Sequence, residues 1–416
     1  MAVALSACLA FPASITAQPD PPAPQCKAPE LVTLFGTWFA ADLTLDQTTP
    51  RPQTAISPTS TGGAVESIRL LLETTPTAGA AWRLVLRDGS ERVLAILGPG
   101  DFAEGPQAGP HRRWTSRLPA ARIMPELLNA KPGESVSIRS GIALPHGSPD
   151  QRLFSIAGTQ PMWNELYKQG DARPKEVGDA VGMLVTSADA IVGAGLAQTH
   201  ERTPWCCTGV MVAPNVFMTN WHCGGRGDTN AQAYWNSEVW ANTVVDLGWD
   251  DGQVRRQYNV VKRLYVNQSL DVAFLEIAPT VGAGAAVGQS NTVQISTDEP
   301  TANEPVFIVH HARCLPKLVT RNCAIVGPRP GWTATGAAPA STEVAHNCDT
   351  EPGASGAPVF NASGQLVALH HLGFNQGGAC QIPDRLNRAV TMKSIAHDLG
   401  QNAPQLAAQL GWPAAD

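Results

Sequence analysis

No apolar run in the chain reaches the roughly 18 residues of a membrane-spanning helix, so a helical membrane protein is excluded. Basic residues form no cluster and the formal charge is −6, which leaves nucleic acid without the electrostatic footprint it needs. No C-x-x-C pair occurs among the cysteines, and this argues against a structural zinc site. Charged residues are scarce, 15 % against about 25 % in ordinary soluble domains. Hydrophobic residues make up 43 %, so the scarcity of charge reflects folded core rather than a disordered chain.

The amino terminus lacks the basic segment that usually opens an export signal. The stretch MAVALSACLAFPASITAQ nevertheless has an apolar run and small residues near Ala17, and residues 1–18 are read as an export signal. The tetrapeptide LSAC resembles a bacterial lipobox and offers lipidation at Cys8 as the rival reading; an apolar strand is the plain one. Either signal places the mature chain outside the cytoplasm, secreted or periplasmic. Without Cys8, eight cysteines remain: Cys26, Cys206, Cys207, Cys223, Cys314, Cys323, Cys348 and Cys380. An even number in an exported chain predicts disulfides, with connectivity left open. The adjacent Cys206 and Cys207 are badly placed to bond each other.

At 416 residues the chain has room for two or three domains. Residues 19–30 are a Pro-rich linker. Residues 31–160 read as a first, strand-rich domain for which a β-sandwich is expected. Within it, WRLVLRDGSERVLAIL (82–97) is a hairpin turning at Asp88-Gly89. ESVSIRSGIAL (134–144) alternates like a half-buried strand, and MPELLNAKPG reads as a short helix or turn. Residues 161–177 form a connector. From 178 to 400 short strands recur with Gly, Asn and Pro turns and no intervening helices, the pattern of a barrel or sandwich. MKSIAHDLG (392–400) fits a closing helix stopped by Gly400, with 401–416 as a tail.

Three stretches carry candidate chemistry. HNCDTEPGASGAPVF (346–360) sets Ser355 in a glycine-rich turn, where it is either a nucleophile or an ordinary turn residue. CTGVMVAPNVFMTNWHC (207–223) puts His222 at a strand end between two cysteines, as a base or as a polar strand end. SLDVAFLEI (269–277) starts with Asp271 ahead of an apolar run, as a strand cap or as the group that fixes an imidazole's tautomer. A nucleophilic serine needs both partners.

The order His222, Asp271, Ser355, with T-N-x-H-C, D-V-A-F-L and G-x-S-G-x-P-V around them, resembles the chymotrypsin-fold serine proteases and differs from the α/β-hydrolase order. The likeness spans 178–400. It implies an all-β chain with a chymotrypsin-like double β-barrel behind the sandwich. Ser355 would attack a peptide carbonyl, His222 would take its proton and Asp271 would orient His222. The N–H groups of Gly353 and Ser355 would form the oxyanion hole. Such chemistry needs no metal and no cofactor, and its partners are protein or peptide substrates. Within the family, DTEPGASGAPVFNASGQLVALHHLG and VFIVHHARCLPKLV resemble the bacterial glutamyl endopeptidase branch. That branch would use Thr350, His370 and Gly373 to hold a substrate carboxylate and would leave His311 a structural role. Asp349, six positions before Ser355, stands where trypsin-like enzymes select Lys or Arg, so this specificity is the alternative. Ala354 cannot receive a freed amino terminus, which removes the zymogen switch of the trypsin branch. A silent, protease-like binding or adhesion protein is the reading from a different class. Beside the resemblance, Cys207–Cys223 is expected across the His222 loop, Cys314–Cys323 as a local closure and Cys348–Cys380 as a tie to the nucleophile loop. Cys26 and Cys206 are then left for one another.

Overall fold

Alternation in the sequence becomes antiparallel pairing throughout. The computed structural model describes residues 33–412 except 61–62, 76, 103–110, 146–162, 169, 193–198, 226–232, 251–255, 283–291, 330–331, 334–335, 338–341 and 374–385. The export signal, the linker, Cys8, Cys26 and Cys380 therefore lie outside the described residues.

In the amino-terminal third, strands Thr37–Asp46, Ser135–Pro145, Val65–Thr74 and His111–Trp114 form one sheet, in that order. Val93–Leu97, Arg83–Arg87 and Met124–Leu128 form a second. Leu70, Leu72, Leu84, Leu86, Val136 and Ile138 pack into one core between them. The hairpin turns where Asp88 Oδ1 accepts from the N–H groups of Ser90 and Arg92, at 2.8 and 3.0 Å. The expected helix or turn at 124–128 is instead a strand. Pro125 and Leu127 are buried while their neighbours are not, a period of two that the core rewards over any local helical preference.

The rest of the chain closes two six-stranded barrels. The first runs Thr199–Ala213, Val181–Val192, Thr243–Asp246, Gln257–Asn267, Val272–Pro279 and Val216–Thr219, then returns to Thr199–Ala213. The second runs Pro305–His310, Pro358–Asn361, Leu366–Leu372, Asn387–Thr391, Glu343–His346 and Leu318–Arg329, then returns to Pro305–His310. This is the chymotrypsin-like double barrel. Closure removes the open edges that would otherwise invite pairing with other chains. Part of the connector is structured: Trp163–Glu165 pairs with Leu318–Arg329, and Asp171 caps the helix Ala172–Gly178.

The closing helix Met392–Asn402 starts as its sequence suggests, with the Thr391 side chain accepting from Ser394 N–H at 3.2 Å. Gly400 does not stop it. A second helix, Pro404–Leu410, comes next and ends at Gly411 with φ 67°, the left-handed position that favours glycine. The supposed tail is thus partly core, with Trp412 edge-on to Phe274 at 5.7 Å. Among the described residues, no helix is long and apolar enough to cross a membrane.

Three disulfides lie among the described residues. Cys207–Cys223 forms as expected. Cys314 bonds Cys206, Cα–Cα 5.8 Å, and neither Cys323 nor Cys26 takes those places. Arg313 and Cys314 both have positive φ, which turns Cys314 toward the first-barrel strand that carries Cys206. Cys323 bonds Cys348, Cα–Cα 4.9 Å, which corrects the expected Cys348–Cys380 pair. The register that sets Ile325 opposite His346 brings Cys323 opposite Cys348 when continued by two residues.

Candidate active site

The buried strand Val216–Thr219 delivers Asn220 and then a single 3-10 turn, His222–Gly224, at the end of the first barrel. The Cys223 bond to Cys207 ties this turn to the neighbouring strand. Asp271 ends a tight turn in which Asn267 Oδ1 accepts from the N–H groups of Ser269 and Leu270, at 2.8 and 3.1 Å. Its φ of 49° projects the carboxylate across to the histidine turn.

There the two meet at three points. Asp271 Oδ2 lies 2.6 Å from His222 Nδ1, Oδ1 accepts from His222 N–H at 2.9 Å, and the Asp271 carbonyl accepts from Asn220 Nδ2 at 2.8 Å. Burial pushes the Asp271 carboxyl up, but the charge and hydrogen bonds of His222 and His371 outweigh it and hold the group well below the usual carboxylate range. An ionised Asp271 fixes the proton of His222 on Nδ1. His222 is 4 % exposed, and its Nε2 has no hydrogen-bond partner among the described residues. That nitrogen is the acceptor a nucleophile's proton requires.

Ser355 lies on a turn between Gly353, φ 100°, and Gly356, φ 82°. A Cβ at Gly353 would sit 2.7 Å from the His311 carbonyl, and one at Gly356 would sit 2.1 Å from the Thr208 carbonyl, so both glycines are forced by contact. Thr208 joins the barrels at this point. Its N–H donates to the Ser355 carbonyl at 2.8 Å, its hydroxyl donates to the Gly353 carbonyl at 2.8 Å, and its own carbonyl accepts from the Thr219 hydroxyl at 2.7 Å. Thr208 follows Cys207, the anchor of the histidine turn, and Cys223 Sγ is 4.0 Å from the Ser355 carbonyl. One strand therefore holds both the serine turn and the histidine turn. Cys207, His222 and Cys223 are grouped closely enough to suggest a metal. The two sulfurs are bonded to one another, so no thiolate is on offer.

The remaining candidate residues lie in the second barrel. His370 pairs its backbone with Gly356 and Ala357, and its Nδ1 is 3.1 Å from His346 Nε2. Burial holds His370 well below the ordinary imidazole range and His346 down to about 3, so both are neutral. Thr350 Oγ1 accepts from Asn387 Nδ2 at 2.7 Å, and Asn387 Oδ1 is 3.3 Å from where a Cβ of Gly373 would stand. Asp349 is buried, and its carbonyl accepts from the Thr320 hydroxyl at 2.8 Å. His311 turns Nδ1 to the Leu315 carbonyl at 2.9 Å and is pushed down to about 3 chiefly by burial.

Thr208, Asn387 and His371 carry no motif that marks them in the sequence. Thr208 had only its place after the cysteine pair as a signal. His371 is the larger surprise: its Nδ1 lies 3.2 Å from Asp271 Oδ2.

The double barrel is the fold of the chymotrypsin-like serine proteases. Residues 207–369 match the family described as "Trypsin-like peptidase domain". The protein is a serine endopeptidase, a hydrolase of peptide bonds. No curated protein sequence matches the chain. Among solved structures it is similar to an inactive form of the Rv3671c protease of M. tuberculosis, at 14 % identity and TM-score 0.37, over 58 % of this chain and 91 % of that one. It is also similar to the HtrA-type protease AlgW bound to a decapeptide, at 14 % identity and TM-score 0.39, over 57 % of this chain and 66 % of that one. Likenesses this distant carry nothing about substrate.

Proposed function

We propose that the protein is an exported serine endopeptidase that uses Ser355, His222 and Asp271 as its catalytic triad and cleaves after Glu or Asp. The observation that supports the triad is the double engagement of His222 by the Asp271 carboxylate, with Nε2 left without a hydrogen-bond partner and the serine turn against the adjacent Cys223. Ser355 Oγ attacks the scissile carbonyl as His222 Nε2 accepts its proton. The imidazolium is stabilised by ionised Asp271, and it then protonates the leaving amine. Water, deprotonated by the same nitrogen, releases the acyl group. The N–H groups of Gly353 and Ser355 receive the oxyanion, each such donor being worth about 3 kcal/mol in the transition state.

The neutral histidines support the acidic preference. If His346 donates Nε2–H to His370 Nδ1, the His370 tautomer carries its proton on Nε2, a donor for a substrate carboxylate beside Thr350 and Gly373. Labelling by a fluorophosphonate probe that disappears in Ser355→Ala tests the triad. A peptide-library cleavage profile tests the preference, and cleavage after Lys or Arg would transfer the pocket floor to Asp349.

A further inference from the structure

His371 and Glu343 have no part in the triad, yet they adjoin it. His371 follows His370 on the strand Leu366–Leu372, and successive residues of a strand face opposite ways. His371 Nδ1 is 3.2 Å from Asp271 Oδ2, and its Nε2 is in ion-pair contact with Glu343 Oε1 at 3.3 Å. His371 and Glu343 are 4 % and 1 % exposed, and the Asp271 side chain is 15 % exposed. A neutral imidazole carries one N–H and one lone pair, so one of its nitrogens would turn its lone pair toward a carboxyl group. The imidazolium sets a positive charge between the two, with Nδ1 hydrogen-bonded to Asp271 and Nε2 at ion-pair distance from Glu343 but without a hydrogen bond.

We infer that His371 is a positioning residue which, as an imidazolium clamped between Asp271 and Glu343, holds the Asp271 carboxylate toward His222. The inference rests on the triad proposed for Ser355, His222 and Asp271. The charges agree with it. As an imidazolium, His371 puts its positive charge between the Asp271 and Glu343 side chains. Burial lowers the His371 imidazole, but its hydrogen bonds and ion pairs with Asp271 and Glu343 outweigh this and raise it to about 9. Other titratable and charged groups stand on the elements around it among the described residues. His346 on the strand Glu343–His346 and the adjacent His370 are neutral. His222 lies beyond Asp271, and Arg388 on Asn387–Thr391 pairs in register with Ala345 and Leu372. Above pH 9 the imidazolium loses a proton and one carboxylate loses its donor. The positive charge beside the Asp271 carboxylate is then lost.

The test uses the full-length protein with 15N-labelled histidine, together with His371→Asn, Glu343→Gln and, as a silent reference, Ser355→Ala. Asn places an amide N–H near the position of Nδ1 and cannot titrate. In the wild type, kcat/KM should fall with an alkaline limb near pH 9, and the His371 nitrogens should both be protonated at pH 7.5. In His371→Asn the limb should vanish, and kcat should drop roughly 10- to 100-fold, the rate equivalent of one hydrogen bond to a charged group, with KM little changed. In Glu343→Gln the limb should move at least one unit toward neutral pH. An unchanged limb in both variants, or a singly protonated His371 at pH 7.5, overturns the inference. The nitrogen shifts in folded Ser355→Ala decide the matter even if His371→Asn does not fold. They also separate this inference from the triad itself, whose failure would show as undiminished turnover in Ser355→Ala.

Discussion

Replacing Arg69 with methionine removes a guanidinium buried where the four-stranded amino-terminal sheet meets the first barrel. Arg69 Nη2 donates to Asp246 Oδ2 at 2.5 Å, Nη1 donates to Gln257, and both ion-pair side chains are 0 % exposed. Burial pulls the guanidinium down to about 10 in spite of Asp246, so attraction does not fully offset desolvation. The pair is therefore weak as a source of net stability but costly to break. Removing one partner of a buried pair costs about 3–5 kcal/mol, because the other charge stays behind. Asp246 keeps the Gly248 N–H at 2.9 Å and has Arg117 Nε at 3.9 Å, which argues for the lower end, about 3 kcal/mol. For a cooperative unit spanning residues 33–412, at about 2.1 cal/mol/K per residue, this lowers Tm by about 4 °C. Most of the loss should return in Arg69→Met/Asp246→Asn, which removes the stranded charge as well. Calorimetry and urea titration of both variants measure this. A single-variant loss below about 1 kcal/mol, or a double variant worse than the sum of its singles, would refute the reasoning.

Three further outcomes are expected. Ser355→Ala, His222→Ala and Asp271→Asn should each lower kcat by about 10⁴ or more, and the triple variant should be hardly worse than Ser355→Ala, because the three act as one unit; steady-state kinetics with an active-site titrant checks this. His370→Ala should weaken cleavage after acidic residues more than it weakens folding, while Asp349→Asn leaves that cleavage equal or improved. The pair of peptide-library profiles would reverse if Asp349 selected Lys or Arg. For Asp271, whose folded-state value is depressed, stability should be fully present above the ordinary carboxylate pKa of about 4 and be lost as the pH falls below it. Urea midpoints between pH 6 and pH 2.5 should show this acid loss in the wild type and a shallower one in Asp271→Asn.

The parts of this site that the sequence displayed are those where chemistry or backbone geometry admits few residue types. Gly353 and Gly356 flank Ser355 because any Cβ would strike His311 or Thr208, and the turn's spelling reflects that contact. His222 and Asp271 stand at strand ends whose apolar runs are visible in one dimension. The hidden parts depend on register between distant strands. Cys323 meets Cys348 only because Leu318–Arg329 and Glu343–His346 pair as they do, and nothing local to Cys323 says so. His371 shows in the sequence only as the neighbour of His370, and its contact with Asp271 depends on how distant strands pair. Gly400 misled because a glycine inside a helix costs only about 1 kcal/mol, which packing of Ile395 and Leu399 can offset.

Cys206 and Cys207 are consecutive, yet the first is bonded to Cys314 near the second barrel and the second to Cys223 within the first barrel. Disulfide exchange needs a thiolate in line with the bond it attacks. The pleat of Thr199–Ala213 sends the two sulfurs to opposite faces, so a reduced Cys206 cannot reach the Cys207–Cys223 bond while the strand persists. In the unfolded chain the same adjacency gives no such insulation, and either sulfur can take either partner. Faithful oxidation must then wait for the strand: the sheet forms first and the sulfurs close afterwards. An oxidant that acts too early can join Cys206 to the histidine turn and leave Cys207 to take Cys314, the reverse of the native pairing.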